Sequence, residues 1–553
     1  MCYSQAAPLE TFLLGGVGEF GMNMMAVRTN ATTVLIDAGI GFPNLQHYGI
    51  NLCIPDRHEI ASEFHSFSAL LLTHGHEDHI GAIPFIWDLL DGPIYGTRLT
   101  LALVERRLND HGIDSDHRLI PITTKSLLTI GDLEVEFISV IHSIPDSVAI
   151  VIRSPTGTVV HTGDFKFDRH PLAETDTAVS RFSEVGRDGV LAAYSDSTNA
   201  SDPGFTGSEL DLRPALDRLC KTATARIFIT TFASSLRRIQ LLVDLANGAG
   251  RKVAFLGRGI EQNVDIAERL GYINIPPRLR VPHTMVRDLA AQDILCVVSG
   301  SQGEPFAALS RMAANEHNSV AIGQDDIVVF SARTIPGNEL AINKLKNQLA
   351  GLGARVFDNR QVLVHVSGHG SQDDLTELMT LLKPKYLVPI HGDFRNLENH
   401  AALAKKHGII PLLANNGDRI CFDNGKGWLG EPIPTRAAYF DDALSITLKD
   451  HTIKERRAMA TNGLIVVVCR LNPDTGRIKE QPRLITHGVS TDNNNSARFD
   501  DLPDAVRTLV NSALAGGNDE PEKLLEEVMP ELRRLARGYF GNAPVVLPVI
   551  LEH

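Results

Sequence analysis

The chain has 553 residues, 43% of them hydrophobic and 22% charged, which excludes wholesale disorder and provides apolar material for about three or four domains of ordinary size. Its formal net charge of −13, from 53 basic and 66 acidic residues, excludes a general polyanion binder acting through an overall basic surface. No apolar run approaches the ~18 residues of a membrane span, and the opening MCYSQAAPLETFLLGG lacks a basic start before an apolar core, so a cytoplasmic protein without membrane span or secretory signal is expected.

Through about residue 200 the chain reads as short β-rich runs separated by turns. MAVRTNATTVLIDAG, FSALLLTH, LEVEFISVIH, SVAIVIRSPTGTVVHTGD and VLAAYSDST combine β-branched residues with partial alternation and end in polar residues. That pattern predicts strands feeding functional loops. GAIPFIWDLL, after residue 80, predicts a helix. From about Arg213 the rhythm changes: strand-like ARIFITTF, RKVAFLG and DILCVVSG alternate with helix-like SLRRIQLLVDLANGAG, EQNVDIAERLG and PFAALSRMAA. Such alternation predicts a parallel sheet with crossover helices. After about residue 354, the predicted strands QVLVHVSG and KYLVPIHG flank a helix, LTELMTLLKP. The last hundred residues predict a strand (GLIVVVCRL), a loop near TDNNNSARFDD, an acid-rich helix (EPEKLLEEVMPELRRLARGYF) and a final strand (PVVLPVILE). Six dispersed cysteines with no CxxC pair predict reduced, mostly buried thiols rather than a disulfide framework or a cysteine zinc site. GRGIEQ lacks the full glycine spacing of a dinucleotide-binding turn and is set aside.

The sharpest feature is Thr73-His74-Gly75-His76-Glu77-Asp78-His79, directly after a predicted strand. Alternate residues of an extended segment share a face, so His74 and His76 can address one metal ion. A following helical turn would carry Asp78 and His79 to a second position. The plain alternative is a solvated histidine-rich turn. Two metals need further ligands, and three predicted strand ends offer them: His142 after LEVEFISVI, Asp164 after TGTVVHTG, and His391 after KYLVPI. Each alone is more often a cap or turn residue. Together they complete two shells: His74, His76, His142 and Asp164 for one ion, and Asp78, His79, Asp164 and His391 for the other, with Asp164 bridging. Imidazole and carboxylate without thiolate suit zinc, with manganese as the alternative. Paired cations can activate water and neutralise a phosphate, which reconciles an acidic chain with a polyanionic substrate.

HGHEDH with the later histidine, TGD and PIHGD elements resembles the metallo-β-lactamase superfamily. The inserted α/β segment, with SDSTNA, SGSQGEP, IPGNE, HVSGHGSQDDL and KPKYLVPIHGDFR, narrows the likeness to β-CASP nucleases of the bacterial ribonuclease J family. TNGLIVVVCRLN and FGNAPVVLPVILE extend it to the C-terminus. The resemblance implies an α/β fold: an αββα sandwich over residues 1–205 and 355–450, an inserted parallel-sheet β-CASP domain over 206–354, and a small C-terminal α/β domain over 451–553. It implies two Zn2+ per subunit, RNA as substrate, assembly into a homodimer or homotetramer, and a place in an RNA-decay complex. The implied activity is RNA maturation and decay by 5′-to-3′ exonuclease action on 5′-monophosphate ends, plus endonuclease cleavage. A hydrolase or nuclease of the same fold acting on DNA or a small ester or thioester is the alternative.

The resemblance also assigns roles to individual residues. Asp78 and Asp196 belong to the catalytic group, with Asp196 orienting a metal ligand and the attacking water. His369 contacts the scissile phosphate and protonates the leaving oxygen. Ser367, Gly368, His369, Gly370 and Ser371 form a pocket for the 5′-terminal phosphate, and Arg333 lines the RNA channel. On the residues alone, Asp196 suits an Asx turn and the SGHGS string a flexible turn equally well. His365, on the predicted strand QVLVHVSG, reads as structural, and His161 as a core or supporting histidine. SARTIPGNE and FASSLRRIQ depart from the strings usual in that family.

Overall fold

Strands buried along their whole length need cover on both faces, and Ala192–Asp196, Ile294–Val298 and Tyr386–Ile390 are among those buried at every position. The computed structural model describes residues 8–43, 45, 48–115, 117–170, 178–441, 446–472, 477–489, 501–515, 521–540 and 543–551. The part of the predicted TDNNNSARFDD loop at residues 491–500 lies outside them. The described residues form two compact units, one within Met1–Phe42 and Cys53–Ala437, the other within Pro43–Leu52 and Ala438–His553.

The first unit contains a sandwich of two mixed sheets. One sheet runs in the order Lys426–Leu429, Arg419–Asp423, Leu9–Gly15, Met24–Arg28, Thr33–Ile36, Ala69–Leu71, Ile94–Gly96 and Leu119–Pro121. The other runs Ile410–Pro411, Tyr386–Ile390, Ala192–Asp196, Gly157–His161, Val148–Ser154, Leu133–Ser139 and Leu127–Ile130. Their inner faces share one core that includes Leu13, Val27 and Ile36 from the first sheet and Phe137, Ile150 and Val388 from the second. The outer face of the second sheet is covered by helices Ala178–Asp188, Gln372–Leu382 and Phe394–Lys406, through Phe182, Leu375, Leu378 and Ala404. This is the αββα sandwich the resemblance implies.

Strand Tyr386–Ile390 pairs in parallel with Ala192–Asp196, although the rest of a domain lies between them in sequence. That intervening stretch forms a separate five-stranded sheet, in the order Lys252–Leu256, Ile294–Val298, Ile227–Thr230, Ile327–Phe330 and Arg355–Phe357. All its pairings are parallel, and helices Leu236–Gly248, Arg258–Leu270, Ala308–Ala313 and Glu339–Gly351 connect the strands, as the alternation predicts.

In the second unit, Leu464–Arg470 alternates buried and partly exposed residues and pairs with Arg483–His487 on one side and Val545–Leu551 on the other. Ile465, Val467 and Cys469 face Val506 and Val510 of helix Leu502–Ala515, and Val528 and Leu532 of the acid-rich helix Pro521–Phe540. The described cysteines, Cys53, Cys220, Cys296, Cys421 and Cys469, are free and buried, as expected.

GAIPFIWDLL is helical, as expected, and takes the form of a 3-10 helix, Ile83–Leu89. Its buried residues Ile83, Ile86 and Leu89 recur every third position, which matches three residues per turn. QVLVHVSG is not a strand. Its backbone is satisfied by side chains instead of a ladder: Asn359 Oδ1 accepts from the N–H groups of Val364 (3.0 Å) and His365 (3.1 Å), Ser331 Oγ donates to the Val364 carbonyl (2.6 Å), and Arg238 donates to that of Val366 (3.2 Å). His365 is accordingly on a loop, where its Nδ1 accepts from Arg238 (3.0 Å).

Arg238 is thus the knot of this region. It is 2% exposed and also holds the Glu209 carboxylate through two bonds of 2.7 and 2.6 Å. Replacing it leaves a buried carboxylate without its partner. Arg238→Ala is expected to destabilise the first unit by about 3–5 kcal/mol, read from the urea midpoint, and Arg238→Ala combined with Glu209→Leu to recover part of that loss.

Candidate metal centre

The two sheets of the first unit end their parallel strands at one edge. Ala69–Leu71 delivers Thr73-His74, after which His76 caps the short helix Glu77–Ile80 that carries Asp78 and His79. Leu133–Ser139 leads to His142, Gly157–His161 to Asp164, Ala192–Asp196 ends on Asp196, and Tyr386–Ile390 leads to His391. The ligand-type atoms of His74, His76, His142 and Asp164 lie within 4.8 Å of one another, as do those of Asp78, His79, Asp164 and His391. These are the two sets expected from the sequence. A third set, Asp164, Asp196, His369 and His391, meets the same distance.

The second nitrogen of each imidazole fixes which nitrogen faces the cluster. Thr73 Oγ1 donates to Asp37 Oδ2 (2.7 Å) and so accepts from His74 Nδ1 (3.0 Å). His79 Nδ1 donates to Asp37 Oδ2 (2.7 Å), and His142 Nδ1 donates to the Gly368 carbonyl (2.8 Å). Thr198 Oγ1 donates to Asp196 Oδ1 (2.8 Å) and accepts from His391 Nδ1 (2.7 Å). On a neutral ring the inward nitrogen therefore carries the lone pair. His74 Nε2 lies 3.0 Å and His142 Nε2 3.3 Å from His76 Nδ1, while His79 Nε2 and His391 Nε2 lie 3.4 and 3.6 Å from Asp164 oxygens. Asp164 is 2% exposed, and its Oδ1 has no hydrogen-bond partner among the described residues. Converging lone pairs around an unpartnered buried carboxylate oxygen fit a divalent cation, and nitrogen and oxygen donors without thiolate fit zinc or manganese.

Charge tells the same story. Burial pushes His74 and His142 well below the ordinary histidine value and His76 to about 4, so these rings stay neutral. For His79, burial also disfavours the proton, but the carboxylates of Asp164, Asp78 and Asp37 outweigh it and raise the value to about 10. His391 is likewise raised, against burial, by Asp164, Asp196 and Asp78. Asp164, despite burial, is held far below the usual carboxylate range by His391, His79 and His74. Without a cation, protons on His79 and His391 supply the positive charge.

Asp196 Oδ2 holds His369 Nδ1 at 2.7 Å, across 173 positions of sequence. Of the residues expected to form a phosphate pocket, Ser367 and His369 are half-buried, while Gly368, Gly370 and Ser371 are buried. A side chain at Gly368 would put Cβ 2.8 Å from the His142 ring, so only glycine permits that approach. The amides of Gly370 and Ser371 are already taken up, by the Phe165 carbonyl (2.6 Å) and by Thr206 Oγ1 (2.9 Å), and Ser371 caps helix Gln372–Leu382. Those two amides are therefore not free for a phosphate, contrary to the sequence expectation, because they build the turn into the helix. The Arg333 guanidinium bonds Asn199 Oδ1 and lies 3.5 Å from Asp202. His161 is buried and accepts from the Gly163 N–H (3.1 Å).

Sequence reasoning missed Asp37, Thr198, Asn199 and Asn23, whose amide lies 3.1 Å from His79 Nε2 and 3.3 Å from Asp78 Oδ2. Asp37 was the most legible of these: VLIDAG ends a strand on an acid just as TGTVVHTGD does. Asp37 and His391 both adopt left-handed backbone, with φ of 56° and 55°.

Comparison with known proteins agrees in extent. Residues 224–349 match the family model of the ribonuclease J β-CASP domain and residues 451–553 that of the ribonuclease J C-terminal domain. Residues 355–414 match a Zn-dependent metallo-hydrolase RNA specificity domain, and residues 32–184 a β-lactamase superfamily domain. The chain is 35% identical to ribonuclease J of Corynebacterium glutamicum over 547 residues, covering 98% of this chain and 76% of that protein. It is 33% identical to ribonuclease J2 of Bacillus subtilis over 542 residues, 98% of each. A crystal structure of an Enterococcus faecalis protein of unknown function shares the fold, with a TM-score of 0.55 at 18% identity, over 75% of this chain and 100% of that one.

Asp37→Asn is expected to weaken cation affinity about 10–100-fold by loosening Thr73 and His79, measured by chelator competition. Adding zinc to metal-free protein at neutral pH is expected to release protons from His79 and His391, seen as binding heats that depend on the buffer's ionisation enthalpy.

Proposed function

Because the chain belongs to the ribonuclease J family, we propose that this centre hydrolyses RNA from 5′-monophosphate ends in the 5′-to-3′ direction, with internal cleavage as a second activity. The protein is a metal-dependent ribonuclease that binds RNA. The observation that carries the finer reading is the meeting of the imidazole and carboxylate cluster with the Asp196–His369 pair, close to Asn199 and Asp202, which Arg333 of the inserted domain contacts. A small ester needs no such second domain beside the site.

His74, His76, His142 and Asp164 would hold one Zn2+, and Asp78, His79, Asp164 and His391 a second, with Mn2+ as the substitute. Bound there, the cations supply Lewis acidity that brings the pKa of water to about 7 and offsets the scissile phosphate's charge. In the hydrolysis, a water oxygen bonds to phosphorus, the bond to the preceding 3′-oxygen breaks, and that oxygen takes a proton. His369 is built to provide it. Asp196 keeps its Nδ1 protonated and leaves Nε2 as the atom that carries and releases the proton. Asp196 also fixes Thr198, and through it the tautomer of His391. Ser367 contributes its hydroxyl to the terminal phosphate, and Arg333 lines the path of the chain. The second unit supports assembly into a homodimer or homotetramer through its apolar terminal strand, in which Leu547 and Leu551 are exposed. No described helix is long and apolar enough to cross a membrane.

His76→Ala or Asp78→Ala is expected to abolish cleavage of 5′-monophosphorylated RNA while sparing RNA binding in gel shifts. His369→Ala is expected to slow single-turnover cleavage by about 10²–10⁴-fold with cation content unchanged by elemental analysis. Loss of cation from that variant would instead make His369 a ligand, as the third distance-compatible set allows.

A further inference from the structure

Asn199 has no part in the roles assigned so far, yet both ends of its amide are engaged, and both of its N–H donors are in use. It is 1% exposed. Its Oδ1 accepts from the Arg333 guanidinium, and its Nδ2 donates to Ser367 Oγ (2.9 Å) and to the His369 carbonyl (2.9 Å). Arginine can only donate, so the oxygen of the amide must face Arg333 and the NH2 must face the 367–369 loop. Ser367 Oγ also receives the N–H of His369 (3.2 Å). A hydroxyl has two acceptor positions and one hydrogen. With both acceptor positions filled, only the hydrogen of Ser367 remains, and it points away from both donors.

We infer that Asn199 is a positioning residue that carries the polarity of Arg333, in the inserted domain, into the phosphate pocket, fixing the half-buried Ser367 hydroxyl as an outward hydrogen-bond donor. A pocket wall that can only donate selects an anionic oxygen, such as a terminal phosphate, and rejects a group that itself must donate. The same amide anchors the carbonyl of His369, which Thr206 Oγ1 also holds (2.8 Å). The inference rests on the reading of Ser367 as a phosphate contact. It adds that the contact's direction is set from the other domain.

Asn199→Asp tests it. The aspartate keeps the shape and the bond to Arg333, but it accepts where the amide donated, so the Ser367 hydrogen turns inward. Cleavage of 5′-monophosphorylated RNA is measured for wild type, Asn199→Asp, Ser367→Ala and the double variant, with cation content and melting temperature as controls. Each single variant is expected to lose about 10–100-fold in kcat/KM, and the double variant to fall less than about threefold below the weaker single. An added negative charge that merely repels RNA would instead combine multiplicatively with Ser367→Ala. Multiplicative losses, or a wild-type rate for Asn199→Asp, overturn the relay. An unchanged rate for Ser367→Ala overturns the phosphate-pocket reading itself, and a wild type that leaves RNA intact overturns the ribonuclease reading. Should Asn199→Asp lose cation or melt early, Arg333→Met replaces it in the same cycle, since it frees the amide to turn over. Coupling to Ser367→Ala supports the relay there, and independence overturns it.

Discussion

A carboxylate sealed from water must meet positive charge, and Asp164 is that carboxylate. It is 2% exposed, lies 3.4–3.6 Å from the inward nitrogens of His79, His74, His142 and His391, and leaves one oxygen without a hydrogen bond. Burying an unpaired charge is far costlier than the net stability of a domain allows. The surrounding imidazoles answer in two ways: some are kept neutral by burial and offer lone pairs, others are kept protonated by carboxylates. Both states are those a divalent cation exploits.

The topology explains why these groups meet. Strands Gly157–His161, Ala192–Asp196 and Tyr386–Ile390 are parallel neighbours, so whatever follows each of them emerges at the same edge. In the facing sheet, Thr33–Ile36 and Ala69–Leu71 are parallel too, and they bring Asp37 and Thr73 to the same place. Asp37 then ties the two loops of its own sheet together, accepting from the Thr73 amide (2.8 Å), the Thr73 hydroxyl and His79. The alternation of strand and helix that makes a parallel pairing thus also makes the centre.

Much of this was legible in the chain because ligand chemistry is concentrated and local. THGHEDH puts several donors at a strand exit, and TGD and PIHGD repeat the strand-then-ligand arrangement. What stayed hidden were residues whose work depends on distant partners. Asp37, Thr198 and Asn199 are ordinary strand-end or turn residues until the fold supplies His79, His391 and Arg333. Local reading also failed where tertiary contacts replaced regular structure. QVLVHVSG has a strand's apolar alternation, yet Asn359, Ser331 and Arg238 satisfy its backbone, and no neighbouring strand is needed. The same substitution of side chains for a ladder leaves the loop free to bend at Gly368 and deliver His369 to Asp196.

A final regularity concerns what surrounds the cluster. The groups that orient the histidines from outside include Thr73, Thr198 and Asn23, and the loop of His369 is held by Asn199 and Thr206, all neutral side chains. A further carboxylate in any of these positions would raise the proton affinity of the neighbouring imidazoles, as Asp37, Asp78 and Asp164 already do for His79. Protons and cations compete for the same lone pairs, so each added acid would strengthen the competitor as well as the site. Neutral hydroxyls and amides fix tautomer and direction without that penalty. Carboxylates do that work at only two of these places, Asp37 behind His79 and Asp196 behind His369, and neutral groups do it at the others.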